Sequence, residues 1–111
     1  MINLDYLRKT TNNDVDTIRV LLDIFKEQAP ELKKDVVSAL EQRNWTALQK
    51  ATHKAKNSFL ILGLNDEAEK LQELEVLCKK EKDTHLFKNY VDDFLNSCDE
   101  ALNEIDNGMI I

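Results

Sequence analysis

Residues 44–63 read NWTALQKATHKAKNSFLILG, a stretch that opens on a helix-capping asparagine and closes on a glycine suited to stopping a helix. Between them Trp45, Leu48, Ala51, Ala55, Phe59 and Leu62 recur every three or four positions, the period of a helix with one buried face. At about 100° of rotation per residue, Leu48, Ala51, Ala55, Phe59 and Leu62 share a narrow arc, and His53 lies roughly 170° from its middle. The histidine therefore faces away from whatever this helix packs on. Gln49, Lys50, Lys56, Asn57 and Leu60 all fall within about 60° of it, so one helix carries two faces of different purpose.

The same period extends along the chain in both directions. Asn3 can cap a short helix over residues 3–9 carrying Leu4 and Leu7, and Asn13 or Asp14 can cap a longer one with Val15, Ile18, Leu21, Leu22 and Phe25 inward. Pro30 disfavours helical geometry in the residue before it, so that helix is expected to end near Ala29. A new helix then starts at Pro30 and runs to about Arg43 on Leu32, Val36, Ala39 and Leu40. After Gly63 a further helix carries Ala68, Leu71, Leu74, Leu77 and Cys78 and ends in KKEKD, and the last takes Phe87, Tyr90, Val91, Phe94, Cys98, Ala101, Leu102 and Ile105 before fraying after Asn107 and Gly108. The fold class is all-α, and short links between amphipathic helices favour antiparallel neighbours in a bundle.

Composition narrows the function classes. The 111 residues suit one domain, 1–111, able to bury a core without metals or disulfides. With 15 basic and 21 acidic residues the net charge is −6, which argues against nucleic acid as a partner because no basic surplus exists to neutralise phosphates. No apolar run approaches the ~20 residues that span a bilayer, and the N-terminus lacks the form of a signal peptide, so the expected location is cytoplasmic and off the membrane. Cys78 and Cys98 sit in helical patterns without CxxC spacing and read as buried, reduced thiols.

An exposed imidazole can bind metal, move protons or attack an electrophile. A metal site needs several convergent ligands, and the only other histidine, His85, stands far along the chain with no carboxylate–histidine pattern around it, so no metal is expected. A hydrolase would need a nucleophile on a strained turn and an oxyanion hole, which a helical chain with two glycines does not offer. Phosphorus is a better electrophile for this setting. A phosphorylated imidazole carries anionic oxygens that neighbouring ammonium groups stabilise, and an ordinary imidazole with a pKa of about 6.5 is largely neutral at cytoplasmic pH. No phosphate-cradling glycine loop, GK[ST] or kinase signature is present, so the phosphoryl group is expected to arrive on another protein.

These residues resemble a known family. The run HKAKNSFLILG looks like the motif of histidine-containing phosphotransfer (HPt) domains, roughly H-x-L/A-K-G-S-x-x-x-L-G, with His53, Ala55, Lys56, Ser58, Leu62 and Gly63 in place. The upstream run from Phe25 through Pro30 to His53 is also similar to the family. Asn57 departs from it by standing where the family usually has glycine. The resemblance implies an antiparallel four-helix bundle with a short additional N-terminal helix. It also implies that His53 shuttles a phosphoryl group between receiver-domain aspartates, of a hybrid sensor kinase and of response regulators, as a phosphohistidine intermediate and not as an ATP-dependent kinase. No cofactor is expected on this chain, Mg²⁺ belonging to the receiver. Lys56 and Lys50 would stabilise phosphoryl charge, Gln49, Asn57 and Leu60 would form the docking rim, and Glu75 and Lys79 on the neighbouring helix are placed near by only by approximate position.

The rival readings are a bundle of the same fold that binds a receiver or another partner without carrying phosphate, and a structural domain of a larger helical protein. The initial methionine and the absence of a linker favour a free-standing shuttle.

Overall fold

A computed structural model describes residues 1–109. Five α-helices follow one another: α1 (Leu4–Thr10), α2 (Val15–Glu41), α3 (Trp45–Ile61), α4 (Asn65–Lys80) and α5 (Phe87–Asp106), with one 3₁₀ turn, Thr84–Leu86, leading into α5. The starts of α1, α2 and α3 follow from side-chain caps. Asn3 accepts the Tyr6 N–H, Asp14 accepts those of Asp16 and Thr17, and Asn44 accepts that of Ala47, each satisfying a backbone donor that the first helical turn leaves unpaired.

Pro30 does not end a helix. It lies inside α2, which continues for 27 residues, so the two helices expected over 14–29 and 30–43 are one. The reason is packing. Ile18, Leu22, Phe25, Ala29, Leu32, Val36 and Ala39 are all buried, and their alternating spacings of four and three pass through the proline without a phase change. Pro30 and Lys26, whose carbonyl loses its donor, both sit on the exposed side, where water can supply the missing hydrogen bond. A proline costs about 3 kcal/mol in a helix interior, and a buried stripe of seven side chains outweighs that. Four long helices and one short one result, as the family resemblance implied.

All four long helices run antiparallel to their neighbours. Lys26 pairs with Asp106 and Lys33 with Asp99, so α5 descends as α2 ascends. His53 meets Glu75 where Lys56 meets Gln72, which sets α4 against α3, and Lys70–Asp93 and Glu73–Tyr90 set α5 against α4. Between α2 and α3, Gln42 and Ala39 lie along Ala47 and Lys50, while Gln28 and Leu32 lie along Asn57 and Ile61. Exposed ion pairs of this kind report the register more than they hold it. The holding is apolar: Phe59 packs between Phe25 and Phe94, with ring centroids 6.2 and 5.6 Å away, and the Trp45 and Phe87 rings stand nearly perpendicular with centroids 5.0 Å apart.

The α3–α4 turn positions the site. Gly63 has φ +72°, and the Leu64 N–H bonds back to Phe59 O while the Gly63 N–H bonds to Leu60 O, the double closure that favours glycine after a helix. A Cβ on Gly63 would also stand 2.7 Å from Asn3 Cβ and 3.1 Å from Tyr6 Cβ, because the start of α1 crosses here, with Asn3 N–H donating to Leu62 O at 3.0 Å. This turn lays α4 back along α3 in the register that brings Glu75 to His53. Cys78 and Cys98 are free thiols within the core, as their spacing suggested. No helix among the described residues is long and apolar enough to cross a membrane.

Candidate functional site

His53 stands near the middle of α3 with its side chain 53% exposed, facing away from the buried Leu48, Ala51, Ala55 and Phe59. Its Nδ1 lies 3.1 and 3.3 Å from the two carboxylate oxygens of Glu75 on α4. Glu75 is the uncommon residue here. It keeps 7% of its side chain exposed, and with Thr52 it forms the only buried polar pair of residues among those described. A buried carboxylate needs partners, and three cationic or ionisable groups converge on it. Lys56 Nζ donates to its Oε1 at 3.0 Å, His53 reaches it from the same helix, and Lys79 Nζ stands 3.7 Å from Oε2.

These neighbours set its charge. Burial pushes the Glu75 carboxyl pKa up, but the hydrogen bonds from Lys56 and His53 and their positive charge outweigh it, and the net shift is downward. Glu75 is therefore ionised and can only accept hydrogen bonds, so Nδ1 of His53 must be the protonated ring nitrogen that donates to it. Nε2 then carries the lone pair. Because the two nitrogens lie on nearly opposite sides of the ring, anchoring Nδ1 on α4 turns the nucleophilic nitrogen outward.

The other predicted residues divide into two sides around His53. Lys56 is on the α4 side with only 15% of its side chain exposed, its ammonium held by Gln72 Oε1 at 2.7 Å as well as by Glu75. It is a half-buried partner of the carboxylate more than a free surface cation. Leu60, 41% exposed, borders a shallow groove with Lys56, Asn65, Ala68, Glu69 and Gln72, and Gln49 is half-buried. Lys50 and Asn57 are exposed on the opposite side, where α3 faces α2; Lys50 lines a groove with Asp35, Gln42 and Lys54, and Asn57 one with Gln28, Glu31, Ser58 and Ile61. Ile61, half exposed, adds apolar surface there that the sequence reading left out. His85 lies exposed in the 3₁₀ turn before α5, on another element.

Glu75 and Gln72 carry more of the site than the sequence reading assigned them. A signal for Glu75 was present: Ala68, Leu71 and Cys78 are buried at spacings that place residue 75 on the same face, so an acid occupies a core position of α4. Gln72 had no such signal, since it is exposed and enters only through the reach of Lys56.

Among the described residues, no group of three His, Cys, Asp or Glu side chains is arranged to hold a metal ion. The arrangement suits nucleophilic attack by an exposed imidazole whose tautomer is set from beneath. The family model of the Hpt domain matches residues 20–108. No curated protein and no solved structure matches the chain.

Proposed function

The chain belongs to the Hpt domain family, and from that premise we propose that it is a phosphorelay shuttle, taking a phosphoryl group from the aspartyl phosphate of one receiver domain and passing it through His53 to the aspartate of another. The single observation that supports this most is the exposed His53 ring with Nδ1 donating to the buried Glu75 carboxylate. In the transfer, the Nε2 lone pair forms a bond to phosphorus while the bond from phosphorus to the aspartate oxygen breaks, and the electron pair leaves on that carboxylate. The ring becomes a phosphorylated imidazolium. Its proton stays on Nδ1, where the Glu75 charge stabilises it.

The same contact keeps the step reversible. A ring protonated on Nδ1 is a good leaving group, so a second aspartate can attack phosphorus and release His53 in its original tautomer. Lys56 is a positioning residue in this scheme. It holds Glu75 ionised and in place, and with Lys50 it adds positive potential near the transferring phosphoryl group. Gln49, Lys50, Asn57, Leu60 and Lys79 form the rim that meets receiver domains of a sensor kinase and of response regulators. Mg²⁺ is supplied by the receiver, and the shuttle works in the cytoplasm.

The test is labelling by phosphorylated receiver domains. The chain should acquire an acid-labile, alkali-stable phosphate that is absent from His53→Gln and retained, at the same rate, in His85→Gln. A label that persists in folded His53→Gln would refute the assignment. A chain that binds receivers yet never carries label would be a docking module instead.

A further inference from the structure

A phosphoryl group carried on His53 needs donors for its oxygens. Lys56 is poorly placed for it. Its ammonium is engaged by Gln72 at 2.7 Å and Glu75 at 3.0 Å, on the α4 side of the ring to which Nδ1 also points. Nε2 points outward and away from α4, so the donors left to a phosphoryl group there stand on the side of α3 away from α4. On that side the residues one turn from His53 are Lys50 and Asn57, both exposed and, among the described residues, neither engaged in a side-chain hydrogen bond.

Their chemistry separates these two. Lys50 lines a groove that also holds the Asp35 carboxylate and Gln42, which compete for its ammonium. Asn57 stands one turn from His53, and its short carboxamide offers two N–H donors to an oxygen-rich group.

We propose that the Asn57 carboxamide is a direct contact to the phosphoryl group, donating an N–H to an oxygen of the phosphoryl carried on Nε2 of His53. This rests on the phosphotransfer reading above. A neutral donor there stabilises the transferring group and the phosphohistidine without placing a second fixed cation over the imidazolium. An aspartate at the same position would instead set a carboxylate against the phosphoryl oxygens.

Phosphoramidate tests this without any docking partner. Nε2 attacks its phosphorus, the P–N bond breaks, and the electron pair leaves on nitrogen as ammonia, so a receiver-binding rim is irrelevant to the rate. Asn57→Ala and Asn57→Gly should each label at His53 about tenfold more slowly than the wild-type chain, the loss expected for one hydrogen bond to a charged group. Their phosphohistidine should also hydrolyse at a changed rate, and Asn57→Asp should be slower still. Helix content and melting, followed in parallel, should be at least as high for Asn57→Ala, because alanine favours an exposed helix position. Wild-type labelling rates in both the alanine and glycine variants would overturn the proposal, including the case in which only transfer from receivers is altered and Asn57 is a docking contact. A wild-type chain left unlabelled at His53 would instead sink the phosphotransfer reading, and this inference with it.

Discussion

Replacing Glu75 by glutamine keeps the shape of the side chain and removes its charge, which isolates what the buried carboxylate contributes. In the native chain it accepts from Lys56 at 3.0 Å and from His53 at 3.1 Å while 7% exposed. Hydrogen bonds to a charged group contribute about 1.5–3 kcal/mol against roughly 0.5–1.5 for neutral ones, so Glu75→Gln should lose about 1–3 kcal/mol. For a chain of this length that is a fall in melting temperature of roughly 4–12 °C. The same change frees the imidazole tautomer, since an amide can present either oxygen or NH₂ to Nδ1, and it withdraws the charge that stabilises the imidazolium. At about 1.36 kcal/mol per decade, labelling at His53 should slow by roughly 10–100-fold. The pH dependence carries a sign. The folded pKa of Glu75 lies below its ordinary 4.5, so its stabilisation is complete above that value and is lost as the pH falls through the lowered folded one. The gap between native and Glu75→Gln melting should therefore be present at neutrality and close on acidification below 4.5. Equal labelling rates, or a stability gap that persists unchanged in acid, would refute the role assigned to the carboxylate.

Gly63→Ala should destabilise by about 2–4 kcal/mol, because it meets both a positive φ and the 2.7 Å approach to Asn3, and limited proteolysis should show α1 released first. Pro30→Ala should raise stability by about 1–3 kcal/mol in denaturant unfolding, since the exposed position regains a helical hydrogen bond; a loss would mean that α2 needs a bend there. Burial pushes the Cys78 thiol up to about 11, aided by the Glu75 charge, and burial, opposed by the Lys33 charge and aided to a smaller extent by that of Asp99, raises Cys98 to about 12. The native state thus favours the neutral thiols, so stability should hold below pH 9 and decline as unfolded-state thiols ionise above it, and a thiol reagent at neutral pH should modify both cysteines only after unfolding.

The helices were legible because their signals are local. A cap at Asn44, a stop at Gly63 and an apolar period between them define α3 in any context, and that period alone turned His53 outward. Periodicity likewise identified the buried faces of α4 and α5 and the inert setting of both cysteines. Pro30 misleads in the sequence because its local preference is outweighed by the tertiary burial that runs in phase through it.

His53 as an exposed residue on a lysine-bearing helix face was thus determined by the sequence itself, since rotation along one helix is a property of that helix. What surrounds the imidazole was decided by the α3–α4 hairpin. Glu75 and Gln72 come from another helix, and their reach to His53 and Lys56 depends on the register imposed by the Gly63 turn and by packing of both helices on the core. That register converts Lys56 from a surface cation into the partner of a buried carboxylate, fixes the protonated nitrogen of His53, and leaves Nε2 facing outward.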